Sequence, residues 1–187
     1  MTVLTKKMTY AEYRALEFED TDNFQYELLN GEVVKKASPT VLHQRIIRRV
    51  VKLFEKYLDA NPSGELFFAP LDVALDDFNV PQPDVIFIRK ERGHIIHEQE
   101  QVIMGAPDIL VEIISGGSIK RDRIEKKDLY EQFGVAEFWI VDPNNRSVEV
   151  YQLEDDRYKL FAFAAETGKV QSSVLEGLEL EVAEIFG

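Results

Sequence analysis

The chain has 187 residues, enough for one domain that buries its own core, and its 45% apolar and 30% charged content is that of a globular rather than a disordered polypeptide. It contains no cysteine, which excludes a disulfide framework, a thiolate zinc site and a cysteine nucleophile. The formal net charge of −12 excludes nucleic-acid binding driven by overall charge, since phosphate affinity comes from lysine and arginine, so any such contact must be local.

In chain order, Met1-Thr2-Val3-Leu4-Thr5-Lys6-Lys7 lacks the apolar core of a signal peptide. No later run approaches the roughly 18 apolar residues of a membrane span. A reducing cytoplasm and no membrane partner are expected. Thr9-Tyr10-Ala11-Glu12 has capping-box spacing and predicts a helix to about residue 16, closed by acidic residues. Apolar segments at 25–29 and 32–36 flank Asn30-Gly31, the pair that best tolerates the positive φ angles of a two-residue hairpin turn.

Ser38-Pro39 reads as an N-cap followed by proline at the first helical position, with a helix over 40–59. Strands are predicted at 66–69, 72–75, 85–89 and 109–115, and the polar stretch 90–105 reads as a long loop. Ser115-Gly116-Gly117-Ser118 leads into a helix over 122–133, with Gly134 where a C-terminal glycine belongs. Strands at 138–141, 148–153 and 158–164 follow, and the tail from residue 174 has no firm assignment. The order predicts a single α/β domain over residues 1–187, a mixed sheet flanked by helices with additional antiparallel strands.

Two carboxylates stand in costly surroundings. Glu112 lies amid Ile109-Leu110-Val111 and Ile113-Ile114, a run that predicts a strand covered on both faces, where an unpaired charge is expensive. Asp84 opens the apolar strand Val85-Ile86-Phe87-Ile88, so two strands can converge on one cation. Asp108 shares the face of Glu112, but four residues of strand span about 13 Å, too far for both to reach one ion. The plainer alternative is that Glu112 pairs with a lysine or arginine and Asp84 caps a turn.

At about 100° per residue, Asp122, Lys126, Leu129, Tyr130 and Phe133 share one helix face. Lys126 either snorkels to solvent or sits beside the carboxylates, where an ammonium can orient a nucleophilic water or stabilise phosphate charge. Asp122 and Tyr130 are accessory candidates. On the long helix, Arg45, Arg48, Arg49, Lys52 and Lys56 form a basic stripe that either tracks phosphates or is simply solvated. His43 projects onto the opposite, apolar face, where it reaches the acidic site or bonds a core carbonyl.

Several segments together resemble the Uma2 family, formerly a domain of unknown function abundant in cyanobacteria and placed among PD-(D/E)XK nuclease-like proteins. They are Tyr26-Glu27-Leu28-Leu29-Asn30-Gly31-Glu32, His43-Gln44, Pro83-Asp84-Val85, Ala106-Pro107-Asp108 running on to Ser115, and Phe138-Trp139-Ile140-Val141-Asp142-Pro143. Between them, Asp122-Arg123-Ile124-Glu125-Lys126 with Tyr130 and Gly134-Val135 resembles the family's helix. The resemblance implies a restriction-endonuclease-like core in which Asp84 and Glu112 hold Mg²⁺ or Mn²⁺, and it adds Glu27 as an acidic contributor, its alternative being a solvent-facing strand residue. Two positions depart from the pattern. Ile114 stands where the broader superfamily has lysine, and Gly116-Gly117 replaces a proline-serine pair.

The resulting expectation is an endonuclease acting on DNA, with Asp84, Glu112 and the backbone carbonyl of Ile113 as metal ligands, Lys126 positioning the attacking water, and a homodimer as the assembly. Its rivals are a noncatalytic DNA-binding protein on the same fold and a zinc hydrolase at His94-x-x-His97 with Glu98. The zinc reading lacks the helical HExxH arrangement, and a serine nucleophile lacks its glycine elbow.

Overall fold

The computed structural model describes residues 6–16, 24–116 and 120–187. Its centre is a six-stranded sheet built from β3 (Gly64–Phe68), β5 (Val85–Arg89), β8 (Ile109–Ile113), β9 (Glu137–Asp142), β10 (Ser147–Glu154) and β11 (Arg157–Ala165), in the order β11-β10-β9-β8-β5-β3. β8 and β9 are parallel, and the other neighbours are antiparallel. The parallel pair needs a crossover, supplied by α3 (Lys126–Gln132).

The uninterrupted apolar runs of the central strands follow from burial on both faces. Val85, Phe87, Ile109, Val111, Ile113 and Trp139 pack with Ile46, Val50 and Phe54 of α2 (Val41–Ala60) and with Ile185 of α4 (Val182–Phe186). The alternate residues Ile86, Ile88, Leu110, Phe138 and Ile140 pack with Leu129 and Tyr130 of α3. Strand period places Glu112, two residues from Leu110 and Ile114, on this second face.

The predicted hairpin forms from β1 (Phe24–Leu29) and β2 (Glu32–Ala37), a separate two-stranded sheet with Leu29 opposite Glu32. Asn30 and Gly31 both have positive φ, 53° and 76°, as a two-residue primed turn requires. The bridge Leu28 to Val80 ties the hairpin to the rest of the domain. The expected capping box is present on α1 (Tyr10–Arg14), whereas the acidic residues expected to close that helix lie outside the described residues.

Three expectations are corrected. Thr40, not Ser38, caps α2, because β2 continues to Ala37 and the Thr40 hydroxyl accepts from the His43 N–H. The stretch read as a loop holds a 3₁₀ turn over Lys90–Ile95 and strands β6 (Ile96–His97) and β7 (Val102–Met104). These join β4 (Asp72–Ala74) in a three-stranded sheet. Ile95, Val102 and Ile103 are buried there, but single apolar residues among polar ones carry no periodicity. The helix predicted from residue 122 begins as a π turn over Arg121–Glu125, in which the Lys126 N–H donates to the Arg121 carbonyl. The tail left unassigned forms β13 (Glu179–Glu181), paired with β12 (Lys169–Gln171), and α4, burying Leu175, Leu178 and Leu180 against the α2 side.

Candidate active site

Asp84 and Glu112 meet in one cavity of about 280 Å³, also lined by His43, Ile113, Lys36 and Arg121. Antiparallel pairing of β5 with β8 brings them together, since Val85 lies opposite Val111 and the Asp84 N–H donates to the Val111 carbonyl. Asp84 Oδ2 accepts from the Ile113 N–H at 2.7 Å and lies 3.2 Å from His43 Nε2. The competing Asp108 accepts from the Arg89 N–H and from Arg92, and does not line this cavity.

Glu112, 1% exposed, directs Oε1 at the Lys126 amine, 2.8 Å, and at the Tyr130 hydroxyl, 2.7 Å. The same amine donates to Glu27 Oε1 at 2.7 Å. Glu27 Oε1 also accepts from the Gln82 N–H at 2.8 Å and from Lys36 Nζ at 3.3 Å. Glu27 Oε2 is buried with no hydrogen-bond partner among the described residues. Glu27 is therefore an inward, wholly buried residue rather than a solvent-facing one. Lys126 does not snorkel either. It is fully buried and absent from the cavity lining, and its amine ends on carboxylate oxygens.

Burial and charge pull these groups in different directions. Burial pushes the Glu112 carboxyl up to about 7, with Asp122 and Asp84 adding to the rise and Lys126 opposing it. Burial also acts on Glu27, but the Lys126 and Lys36 charges prevail and hold it below its ordinary range. For Asp84, burial is outweighed by the His43 hydrogen bond and charge, and its carboxyl is lowered. His43 is raised against burial by Asp84. Lys126 and Tyr130 are both raised, the lysine by its carboxylates against burial, the tyrosine by burial first.

The two readings of His43 turn out to be one arrangement, since its Nε2 lies 3.0 Å from the Ile113 carbonyl oxygen and 3.2 Å from Asp84 Oδ2. Those two oxygens thus converge on a single point. Asp122 is buried and lines the cavity. Arg45 and Arg48 line a neighbouring groove with Val41 and Phe68 that shares Pro39 with the cavity, and Lys52 is exposed. Arg49 donates to the Ile185 carbonyl of α4 at 3.3 Å.

Among the described residues no three His, Cys, Asp or Glu side chains gather to hold a metal ion. His97 of the zinc alternative lies 3.8 Å from Glu100, and no such cluster supports that alternative. The carboxylate-bearing residues Asp84, Glu112 and Asp122 line the cavity together with Ile113.

Sequence reasoning missed Lys36. The signal was available in strand period: Gln25, Glu27 and Leu29 alternate on β1, and Lys36 and Val34 lie opposite Gln25 and Glu27 on β2. Leu29 and Val34 pack on the second core face, so Lys36 follows them inward.

A mixed sheet flanked by helices, with two carboxylates converging beside the crossover, defines a nuclease-type α/β fold. A crystal structure from Anabaena variabilis, described as a "putative nuclease belonging to DUF820", shares it with a TM-score of 0.76 at 21% identity, covering 96% of this chain and 97% of that one. The chain belongs to the Uma2 family, described as "Putative restriction endonuclease", whose model matches residues 10–183. No curated protein matches it. Among the described residues no helix is long and apolar enough to cross a membrane.

Proposed function

We propose that this protein is a metal-dependent endonuclease that hydrolyses DNA phosphodiester bonds, with Asp84, Glu112 and the Ile113 carbonyl as the cation ligands. The observation that carries the reading is convergence: a carboxylate oxygen from the residue before β5 and a backbone carbonyl of β8 both lie within 3.2 Å of His43 Nε2, and Glu112 lines the same cavity. Glu112 Oε1 takes both the Lys126 and Tyr130 bonds, which leaves its second oxygen for the cavity. This donor set fits Mg²⁺ or Mn²⁺, hard ions that take carboxylate and carbonyl oxygens and keep several waters. Such an ion supplies Lewis acidity toward the phosphoryl oxygen and toward water.

The remaining roles belong to the chain. Lys126 and Tyr130 fix the Glu112 carboxylate by two bonds to one oxygen, so its other oxygen is oriented without a search over rotamers. The Ile113 N–H does the same for Asp84. Hydrolysis forms one P–O bond from water and breaks the bond to the leaving sugar oxygen. Arg45, Arg48 and Lys52 give the DNA backbone a local basic track beside an otherwise acidic protein. A homodimer would let two sites cut both strands, with the exposed Leu160, Phe161 and Phe163 of β11 as the first surface to test by mass measurement in solution.

The test is a cleavage assay on DNA and RNA with Mg²⁺ and Mn²⁺. Wild-type protein cuts DNA, and Asp84→Ala and Glu112→Ala each lose activity by on the order of 10³-fold. Cutting that survives both changes removes this site assignment. Duplex binding without cutting favours the noncatalytic reading, to which the net charge of −12 gives no affinity by itself.

A further inference from the structure

Two lysine amines meet at Glu27 Oε1, and they differ in what else they reach. Lys126 Nζ lies at 2.7 Å and its side chain is 0% exposed; both its contacts are to buried carboxylates. Lys36 Nζ lies at 3.3 Å, its side chain is 16% exposed, and it lines the cavity with Asp84 and Glu112.

The hold on Lys36 is loose. Its bonds to Glu27 Oε1 and to the Gln82 carbonyl are both 3.3 Å, longer than the roughly 2.7–2.9 Å of a good charge-assisted hydrogen bond. An ammonium has three N–H donors, so one is left over beside the cavity. Its charge is felt there, since Lys36 helps to lower Glu27 and Asp84.

A phosphodiester entering this cavity brings a negative charge to Asp84, Glu112 and Asp122. The proposed metal ion offsets part of that repulsion, and a side-chain cation able to touch the phosphate offsets more. Lys35 and Arg121 also line the cavity, Lys35 with its amine over the Tyr26 ring, whereas Lys36 bonds Glu27 and its charge acts on Asp84 and Glu112. Lys126, fully buried and outside the cavity lining, does not reach the phosphate. We infer that Lys36 is the amine that contacts the scissile phosphate, while Lys126 is a positioning residue acting through Glu112. This assignment rests on the nuclease reading and names a residue that reading does not require.

The absence of cysteine makes a clean test available. Lys36→Cys introduces a single thiol, and 2-bromoethylamine converts it to an aminoethyl side chain with the amine restored near its original reach. In single-turnover cleavage of DNA with Mg²⁺, Lys36→Cys is expected to fall about 100-fold, with duplex affinity measured in Ca²⁺ changed less than about threefold. Aminoethylation returns most of the rate, whereas iodoacetamide returns none. Lys36→Met, which keeps the bulk of the side chain, loses the same rate and covers the case in which the thiol variant folds poorly.

A Lys36→Cys or Lys36→Met protein that cuts within threefold of wild type overturns the assignment and leaves the nuclease reading standing. So does equal recovery with iodoacetamide, since a side chain without an amine would then suffice. Wild-type protein that does not cut, whether or not it binds, overturns the nuclease reading, and the Lys36 contact falls with it.

Discussion

Glu112 and Glu137 start adjacent lessons in the same sheet. Each is a carboxylate on a central strand, 1% and 0% exposed, and each is flanked by apolar residues. Glu137 is enclosed by neutral donors: the Trp139 indole N–H at 2.6 Å, the Ser172 hydroxyl at 2.8 Å, and the Ser173 N–H and hydroxyl and Val174 N–H on its other oxygen. Both oxygens are used. Glu112 has a lysine and a tyrosine on one oxygen and a cavity on its other side. Burial alone therefore does not distinguish the two; their partners and the cavity that Glu112 lines do.

The contrast breaks most visibly in activity. Glu112→Ala is expected to lose on the order of 10³-fold in cleavage, and Glu137→Ala to keep cutting per folded molecule; equal losses in a titrated-active-site assay would erase the distinction. The next effect is on stability. Glu137→Ala strands several buried donors and should cost about 3 kcal/mol by urea unfolding, enough to see as a shifted midpoint with the slope unchanged.

A third test uses pH. The Glu112 carboxyl, at about 7 in the fold against 4.5 as its ordinary value, keeps its proton longer folded than unfolded. Its contribution to stability is then fully present below about pH 4.5 and lost as pH rises toward 7. Relative to Glu112→Gln, wild type should lose up to about 3 kcal/mol across that window, and added Mg²⁺ should recover part of it above pH 7. A difference that stays flat with pH would contradict the buried, strained ionisation of Glu112. The smallest expected effect is on the rim: Arg45→Ala with Arg48→Ala weakens duplex binding about tenfold and lowers the salt slope by about 2, while Arg49→Ala, whose guanidinium serves α4, leaves the slope unchanged.

Much of this was legible in the residues because strong local rules coincided with the tertiary outcome. Asn30-Gly31 admits few conformations besides the primed turn it forms, and the run around Glu112 is too apolar for an edge strand. The helical phase that groups Asp122, Lys126, Leu129 and Tyr130 survives in their shared burial. What escaped depended on company the sequence does not display. Glu137 has the same flanking pattern as Glu112, and its serine donors come from some 35 residues downstream. Lys36 looks like a surface residue until its strand is given an inward face, and the bond from Arg49 to Ile185 joins residues 136 positions apart.

The π turn over Arg121–Glu125 has a consequence for how such proteins are compared. A π turn is an α-helical turn carrying one added residue, so the interval of 14 residues between Glu112 and Lys126 includes one position that contributes no reach. The lysine's place is defined by where its amine arrives rather than by its distance along the chain. A search keyed to a fixed spacing between acid and amine would pass over chains that deliver the same ammonium from a plain helix, and functional kinship here is better tallied in space than in letters.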